Sequence, residues 1–289
     1  MNKSFFRDIC YRYLPKRLVI DYIASKVIGR RINWRNPVDI NDKINILKLT
    51  SDTKEWTRLS DKYLVREYIS EKGLSDILVP LYKKYDKACD IRLEELPDSF
   101  VMKTNHGCGE VLIVKDKSKI DENNLREKMD DYLQYRYGLH QAEYHYLDIT
   151  PCIIVEQLLS ENDNSISNTM IDYKIWCFDG KPYCLFVCFN RGAVTNVALY
   201  DLEWRYIKNG LKNSDHFIET PGVVPKPQNL DMMLRYASIL SQGFPEVRVD
   251  LYNVNGKIYF GEMTFTSLGG FMNYYTDDFL KQLGNQIKI

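Results

Sequence analysis

The chain has 289 residues, and its 39 lysine and arginine residues balance 39 aspartate and glutamate residues, so the formal net charge is zero. This balance argues against non-specific nucleic-acid binding, which needs many uncompensated cations. With 45% hydrophobic and 27% charged residues, the composition is that of a soluble globular protein, and the length suggests two domains or lobes.

The seven cysteines form no Cys-x-x-Cys pair, and no run of 18 apolar residues occurs in the chain. These features predict reduced, packed thiols and no membrane-spanning helix. The start of the chain also lacks the uninterrupted apolar stretch of a signal peptide. We therefore expect a cytoplasmic protein.

Residues 1–58 are predicted to form an N-terminal helical segment, and residues 1–31 are rich in lysine and arginine with aromatic and aliphatic residues between them. This pattern fits a helix on the inner face of an anionic membrane, or a helix packed on the protein body with a solvated basic side. A further helix is expected over NDKINILKL, with Asn41 as its N-cap.

Residues 59–155 are predicted to form a first lobe that combines helices with a sheet. The segment TNHGCGE should be the turn of a hairpin, because short β-rich runs flank it and it carries two glycines. The expected elements are a helix over 59–73, strands at 100–103 and 111–116, a helix over 122–137 and a buried strand within 151–159.

Residues 156–289 are predicted to form a second lobe that is richer in strands. The dipeptide Asn255-Gly256 gives the strongest hairpin signal in the chain. The expected elements are strands over 172–178 and 181–189, an irregular stretch over 190–228, a helix over 229–244 and two strands within 247–265. The fold class predicted for the whole chain is α+β with antiparallel sheets in two lobes.

Several familiar signatures are absent from the sequence. There is no Walker P-loop, no Rossmann glycine fingerprint, no H-E-x-x-H and no G-x-S-x-G. No two aspartates are two residues apart, so the Asp-x-Asp signature of many sugar-nucleotide glycosyltransferases is also missing. These absences argue against the corresponding enzyme classes.

A first candidate site lies in FVMKTNHGCGEVLIVKD. Gly107 and Gly109 allow a tight loop whose backbone N–H groups turn toward an anion, and Lys103 would place a cation beside it. His106 would either contact a phosphate or cap the loop. A glycine hairpin with a lysine is also compatible with a plain turn.

A second candidate site lies on the last predicted hairpin. Strand alternation places Arg248 and Asp250 on one face of the first strand, and Glu262 and Thr264 on one face of the second. A cation, two carboxylates and a hydroxyl on one face form either a salt-bridged solvent surface or a magnesium site completed by phosphate oxygens and water.

The order of these motifs resembles the ATP-grasp superfamily and, more narrowly, its TupA-like branch, which is found with bacterial surface-polysaccharide genes. The resemblance extends from residue 33 onward and is carried by NPVDINDKINILKL, LSDKYLVREY, LPDSFVMKTNHGCG, DYKIWCFDGKP and RVDLYNVNGKIYFGEMTF. It implies an ATP-grasp fold in which two α+β lobes sandwich ATP, with ATP and Mg²⁺ as cofactors.

The resemblance also implies roles for individual residues. The phosphates would be contacted by Lys62, Lys103, His106, Gly107 and Gly109. The adenine edge would be contacted by Glu156, Gln157 and Leu158. The ribose would be contacted by either Glu161 or Asp163. Mg²⁺ would bind Asp250, Glu262 and Thr264, where Thr264 replaces the asparagine of many ATP-grasp ligases. Arg248, Lys103 and Lys174 would be the catalytic cations, with Asp172 and Arg191 as further substrate or phosphate contacts.

The function implied by the resemblance is a carboxylate–amine ligase that forms an amide through an acylphosphate. The expected partners are a small-molecule or glycan carboxylate, such as a uronic acid of a capsular polysaccharide, and an amine or amino acid. A glycosyltransferase of the same polysaccharide and a non-catalytic nucleotide-binding protein remain the alternative interpretations.

Overall fold

The computed structural model describes residues 11–160, 165–212 and 214–289. The chain divides into two compact units. The first comprises residues 52–159 and the described residues up to Arg12, and the second comprises residues 13–51 and 160–289. Most of the segment predicted as a separate N-terminal part therefore belongs to the second unit.

The described chain is α+β, as predicted. Its α-helices are α1 (Lys16–Val27), α2 (Ile40–Thr50), α3 (Lys54–Ser60), α4 (Val65–Glu71), α5 (Glu122–Gln134), α6 (Tyr137–His140), α7 (Leu230–Leu240) and α8 (Asp277–Gly284). Its strands are β1 (Leu81–Tyr85), β2 (Phe100–Thr104), β3 (Val111–Val114), β4 (Ile153–Glu156), β5 (Asp172–Phe178), β6 (Lys181–Phe189), β7 (Thr195–Tyr200), β8 (Phe217–Glu219), β9 (Val247–Val254) and β10 (Lys257–Thr264). None of the helices in the described part of the chain is long and apolar enough to cross a membrane.

The first unit is built on an antiparallel sheet with the strand order β1-β4-β2-β3. The predicted hairpin is confirmed as β2 and β3. Alternation along β2 directs Phe100 and Met102 into a core shared with Leu125 and Met129 of α5, which leaves Lys103 on the opposite face.

The single helix predicted over residues 59–73 is wrong, because the chain forms α3 and α4 with a turn between them. The carboxylate of Asp61 accepts hydrogen bonds from the backbone N–H groups of Tyr63 at 2.8 Å and Leu64 at 3.1 Å. A buried aspartate that binds nearby backbone donors in this way favours a turn over a continuous helix.

The second unit contains a sheet with the strand order β10-β9-β5-β6-β7-β8. All its pairs are antiparallel except the parallel pair β7–β8. The expectation that residues 190–228 are irregular is wrong for β7 and β8: β7 is a buried, apolar strand paired with β6, and β8 is only three residues long and is fixed by its pairing with β7.

Helix α7 packs on β5, β6 and β9. It buries Met233, Ala237 and Leu240 on the sheet side. The valine-rich face of β9 is also fully buried, as Val247, Val249 and Leu251 are each 0% exposed. Since strand side chains alternate, the polar residues between them lie on the other face of the sheet.

Helix α2 begins at Ile40, and its N-cap lies two residues before the predicted one. Its N-cap is Asp39, whose carboxylate accepts a hydrogen bond from the backbone N–H of Asp42 at 3.0 Å. The assignment of Asn41 as the cap is therefore wrong. Asn41 is buried and exchanges two hydrogen bonds with the backbone of Met272.

Candidate functional site

The polar face of β9 and β10 brings together the four residues predicted from strand alternation. Asp250 pairs with Glu262 across the two strands, and Arg248 pairs with Thr264. Lys174, on the neighbouring strand β5, lies opposite Asp250. Two carboxylates, two cations and a hydroxyl therefore occupy adjoining positions on one sheet face.

A β-bulge at Gly261 sets this alignment. Phe260 pairs with Leu251 while Glu262 pairs with Asp250, so Gly261 is the extra residue in β10. A Cβ atom at position 261 would lie 2.9 Å from the backbone oxygen of Asp250. Only glycine fits this close approach, and without the bulge Glu262 would point to the opposite face.

Arg248 is the centre of the cluster. It is 8% exposed and donates to Asp250 from two nitrogens, Nε to Oδ1 and Nη2 to Oδ2, each at 2.7 Å. Its Nη1 donates to Ser267 Oγ at 3.0 Å, and Nη2 also donates to Thr264 Oγ1 at 3.2 Å and to Glu262 Oε1 at 3.4 Å. Burial acts to lower the pKa of Arg248, but Asp250 outweighs it and the pKa is raised, so the guanidinium stays charged.

Lys174 links two buried carboxylates. Its Nζ lies 2.6 Å from Asp172 Oδ2 and 2.5 Å from Asp250 Oδ2, and Arg191 Nη1 approaches Asp172 at 3.4 Å. Burial alone would lower the pKa of Lys174, but the two carboxylates raise it. Burial raises the pKa of Asp172, whereas for Asp250 the nearby Arg248 and Lys174 overcome burial and lower the pKa.

The oxygen atoms of this face suit a hard divalent cation. Asp250 is 1% exposed and holds both cations, whereas the Glu262 side chain is 38% exposed. Among the described residues, no group of three or more His, Cys, Asp or Glu side chains is arranged to hold a metal by itself. Asp250, Glu262 and Thr264 offer oxygen donors of the kind that Mg²⁺ binds together with phosphate oxygens and water, and both oxygens of Asp250 also accept hydrogen bonds from Arg248 or Lys174.

In the first unit, Glu156 lies between two cations. Lys103 Nζ is 2.6 Å from Glu156 Oε2, and Arg66 Nη1 is 3.1 Å from Glu156 Oε1. Arg66 also donates from Nη2 to the backbone oxygen of Val79 at 2.8 Å. Burial lowers the pKa of Arg66, and Glu156 opposes this shift. Both carboxylate oxygens of Glu156 are thus paired, an arrangement that the sequence did not predict.

The glycine loop is contacted by Lys62 from outside the loop and packed by its own Glu110. The Nζ of Lys62 donates to the backbone oxygen of Gly107, which places this predicted phosphate contact beside the loop. A Cβ atom at position 107 would lie 2.2 Å from Glu110 Oε2, so the carboxyl group occupies the space that glycine leaves. Gly109 has a φ of +100°, a conformation that favours glycine.

His106 joins this loop to the end of helix α5. Its Nε2 lies 3.0 Å from the backbone oxygen of Tyr135, so Nε2 carries the proton and donates it. Burial lowers the pKa of His106, which keeps the ring neutral near pH 7. Both roles given to His106 from the sequence, phosphate contact and loop cap, stay predictions.

Of the predicted hinge residues, Glu156 is the last residue of β4, and Gln157 and Leu158 follow it directly. The backbone N–H of Gln157 donates to Pro80 O at 2.9 Å, and its side chain is exposed, whereas Leu158 is half-buried. Asp163 and the alternative ribose contact Glu161 lie outside the described residues.

Sequence reasoning missed Arg66 and Ser267, which contact two of the predicted site residues. Arg66 lies in the motif LSDKYLVREY, and Ser267 follows the last strand. The sequence around each residue does not indicate that Arg66 contacts Glu156 or that Ser267 contacts Arg248. Lone charged or hydroxyl residues are usually solvated, so pattern alone did not select them.

A model of ATP-grasp proteins matches residues 42–288, which is most of the chain. The chain belongs to the TupA-like ATP-grasp family, as its motifs predicted. No curated protein matches it.

Solved structures give weaker similarities. A D-alanine–D-alanine ligase structure from Bacillus anthracis is 18% identical over 72% of this chain and 57% of that chain, with a TM-score of 0.39. A complex of the ligase from that organism with ATP is 14% identical over 92% and 82% of the two chains, with a TM-score of 0.43. The Helicobacter pylori ligase is 13% identical over 93% and 66%, with a TM-score of 0.44. The family assignment therefore depends on the family model and not on these distant similarities.

Proposed function

We propose that this protein is an ATP- and Mg²⁺-dependent carboxylate–amine ligase that forms an amide through an acylphosphate. Family membership supports ATP-dependent ligation. The observation that carries the proposal is the cluster around Arg248, in which a buried, charged guanidinium lies beside one buried and one half-exposed carboxylate. Such a preorganised arrangement suits a reaction that transfers a phosphoryl group.

The proposed reaction has two steps. An oxygen of the substrate carboxylate forms a bond to the γ-phosphorus of ATP while the bond to the bridging oxygen of ADP breaks. The amine nitrogen then attacks the acyl carbon, inorganic phosphate leaves, and the nitrogen loses a proton as the amide forms. Arg248 would stabilise negative charge on the transferred group, and Lys174 would supply a second cation.

The metal would be held by Asp250, Glu262 and Thr264, where Mg²⁺ supplies charge neutralisation for phosphate oxygens. Thr264 offers a neutral hydroxyl, and its Oγ1 lies 3.3 Å from Glu262 Oε1. Glu262, the more exposed of the two carboxylates, is the one that a metal from solvent reaches most directly.

The first unit would contribute nucleotide contacts. Lys62 and Lys103 would neutralise phosphate charge, with His106 as a further proposed phosphate contact. The loop around Gly107 and Gly109 would exclude water from the acylphosphate. The proposed contacts of the adenine edge are Glu156, Gln157 and Leu158, and the proposed contact of the ribose is Asp163.

The proposed substrates are a uronic acid of a bacterial surface polysaccharide and an amino acid or other amine, as the family resemblance implies. Purified protein would be incubated with Mg·ATP, panels of uronic acids and amines, and separately with UDP-sugars, while phosphate, UDP and amide products are quantified. Phosphate release that requires both an acid and an amine is the expected result. UDP release would instead favour a glycosyltransferase, and ATP binding without turnover would favour a non-catalytic protein.

We further propose that the protein works in the cytoplasm with helix α1 against the inner face of the membrane. Tyr13, Leu14, Leu18 and Tyr22 are 74%, 49%, 58% and 55% exposed. Exposed apolar side chains next to cations suit an anionic lipid surface, and Lys16, Arg17 and Lys26 are all exposed on this segment.

Co-sedimentation with vesicles tests this placement. We expect binding to phosphatidylglycerol vesicles and not to phosphatidylcholine vesicles, and loss of that binding when Leu18 and Tyr22 are both changed to serine. The matched control is Ile218→Ser, which removes a 48% exposed side chain from β8. Equal recovery of all forms with both lipids would contradict a membrane role for α1.

A further inference from the structure

Helix α2 presents three polar side chains to the protein interior at positions i, i+4 and i+7. Asn41, Asn45 and Lys48 are 1%, 0% and 7% exposed. Helical spacing places all three on one face. A buried polar stripe costs free energy unless its groups are hydrogen-bonded, so the partners of these residues show what the stripe does.

All three residues bind the backbone that follows β10. Asn41 exchanges hydrogen bonds with Met272, as described above, and Asn45 Nδ2 donates to the backbone oxygen of Gly270 at 2.8 Å. Lys48 Nζ donates to the backbone oxygen of Gly269 at 2.8 Å and to Asn45 Oδ1 at 2.9 Å. Helix α2 thus holds a segment more than 200 positions away in the sequence.

The segment that they hold, Ser267–Gly270, has an unusual backbone. Leu268, Gly269 and Gly270 have φ values of 46°, 65° and 76°. The left-handed region is unfavourable for a non-glycine residue such as Leu268, so surrounding contacts must maintain this turn. A Cβ atom at position 270 would lie 2.8 Å from Asn45 Nδ2, which shows how closely the helix approaches.

The same turn contacts the candidate catalytic cluster. Ser267 is 0% exposed, and its Oγ accepts a hydrogen bond from Arg248 Nη1 at 3.0 Å. The other hydrogen bonds recorded for Arg248 within the described chain go to residues of β9 and β10. Ser267 is therefore the partner through which α2 reaches the Arg248 guanidinium.

We infer that Asn45 and Lys48 are positioning residues that hold the Ser267–Gly270 turn, so that Ser267 fixes the orientation of Arg248. This inference rests on the proposed function for its effect on turnover. Stability does not explain the buried lysine well, because a methionine of similar shape often replaces a buried charge at little cost. The ammonium instead binds the Gly269 carbonyl and lies 4.8 Å from the Phe271 ring centroid.

The test compares Lys48→Met with Lys43→Met. Lys43 lies on the same helix and also donates from Nζ to a backbone oxygen, that of Ile287 at 2.7 Å, far along the chain from the turn. In ADP-release assays we expect Lys48→Met to lower kcat about tenfold or more while the Kd for ATP changes less than about twofold. Lys43→Met should leave both values near those of the wild type.

A double-mutant cycle separates positioning from general damage. If Lys48 acts through Ser267, Ser267→Ala should lower kcat to a similar extent, and the double variant should be no worse than either single variant. Lys48→Arg, which keeps a cation, should restore part of the rate. Wild-type kcat in Lys48→Met, or fully multiplicative losses in the double variant, would overturn the inference.

An NMR measurement that does not depend on catalysis separates the positioning role of Lys48 from the proposed ligase function. The ¹⁵N resonance of Arg248 Nε, assigned through an Arg248→Lys variant, should shift in Lys48→Met and stay in place in Lys43→Met. If the wild type shows no ATP-dependent ligation but this shift occurs, the proposed function fails while the positioning role stands. An unchanged Arg248 resonance in Lys48→Met would overturn the positioning role.

Discussion

At the scale of single residues, the two carboxylates of the cluster in the second unit differ in burial and in their partners. Asp250 is almost fully buried and holds Arg248 and Lys174, whereas Glu262 is 38% exposed and accepts only long hydrogen bonds of 3.3 and 3.4 Å in the described chain. A carboxylate that fixes buried cations cannot be altered without loss of structure. Glu262 is therefore the residue at which chemistry can be tested apart from folding.

We predict that Glu262→Gln abolishes ATP-dependent amide formation, with a loss of about 100-fold or more, because the neutral amide keeps the shape but not the charge that a metal needs. The far-ultraviolet circular dichroism spectrum should be unchanged. The control is Glu203→Gln, which neutralises a 66% exposed carboxylate paired with Arg205. Full activity in Glu262→Gln would refute the metal assignment.

Lys103 offers a second test at this scale. Lys103→Ala should weaken ATP binding about tenfold or more in calorimetry, since a charge-assisted hydrogen bond contributes about 1.5–3 kcal/mol. The fold should persist because Arg66 still pairs with Glu156. Lys83→Ala is the control, as Lys83 lies on the same sheet and pairs with Glu95 at 2.8 Å. Equal affinity in Lys103→Ala and the wild type would remove Lys103 from the phosphate site.

Glu246 gives a prediction about pH. It is 1% exposed, and neither carboxyl oxygen has a hydrogen-bond partner in the described structure. Burial raises its pKa well above the usual value, so the folded state holds this proton more tightly than the unfolded state does. The free energy of unfolding contributed by this group is thus highest below the unfolded pKa and falls as pH rises toward the folded pKa.

Glu246→Gln should therefore raise the free energy of unfolding at pH 8 by on the order of 1–3 kcal/mol relative to the wild type, and the difference should shrink toward pH 4. Urea unfolding at pH 4, 6 and 8 measures this directly. The same difference between the two proteins at all three pH values would show that Glu246 does not titrate in the fold as proposed.

At the scale of secondary-structure elements, the bulge in β10 determines which side chains share a face. Gly261→Ala should destabilise the protein by about 1–3 kcal/mol, because the new Cβ would meet the Asp250 backbone oxygen, which cannot move without breaking the pairing of β9 and β10. The same variant should lose Mg²⁺-dependent activity. Gly192→Ala is the control, since its nearest non-neighbouring atom is 3.9 Å away. Equal urea midpoints for both variants would contradict this account.

Local patterns predicted some of these elements and not others. The Asn255-Gly256 turn fixed the hairpin of β9 and β10, because its conformation depends on those two residues themselves. The break between α3 and α4 and the true N-cap at Asp39 depend on which of several polar side chains binds the backbone. Sequence alone does not decide between such neighbouring donors and acceptors.

The candidate site was also predicted only in part, because local patterns show which residues share a strand face and do not show contacts between distant parts of the chain. Strand alternation predicted that Arg248 lies on the same face as Asp250, and Glu262 on the same face as Thr264, and the motif order indicated the family. The bulge at Gly261 brings the two pairs to one face, and the sequence pattern did not predict it. The contacts of Ser267 with Arg248 and of Asn45 with Gly270 join distant parts of the chain. No local pattern specifies such contacts, and only the folded structure revealed them.

At the scale of the whole molecule, the second unit is discontinuous in sequence while residues 52–159 of the first are continuous. Residues 13–51 contribute buried apolar side chains to the second unit, namely Val19, Ile20, Ile23, Ala24, Ile32, Ile40, Ile44 and Leu47. Each buried Val, Leu or Ile contributes about 1.5–3 kcal/mol, so their removal costs as much as the whole stability of a typical domain, about 5–15 kcal/mol. A basic N-terminal segment is thus an integral part of a core.

We therefore predict that fragment 52–159 folds cooperatively alone, that fragment 160–289 does not, and that 13–51 joined by a flexible glycine–serine linker to 160–289 does. The first fragment keeps its own sheet and the helix that covers it, whereas the second loses the buried face of α2 and the hydrogen bonds that hold the Ser267–Gly270 turn. Urea unfolding followed by circular dichroism checks all three, with the full chain as control. A unit that lacks part of its core should not unfold in a single sharp transition. Cooperative unfolding of fragment 160–289 alone would therefore show that the core of the second unit does not need residues 13–51.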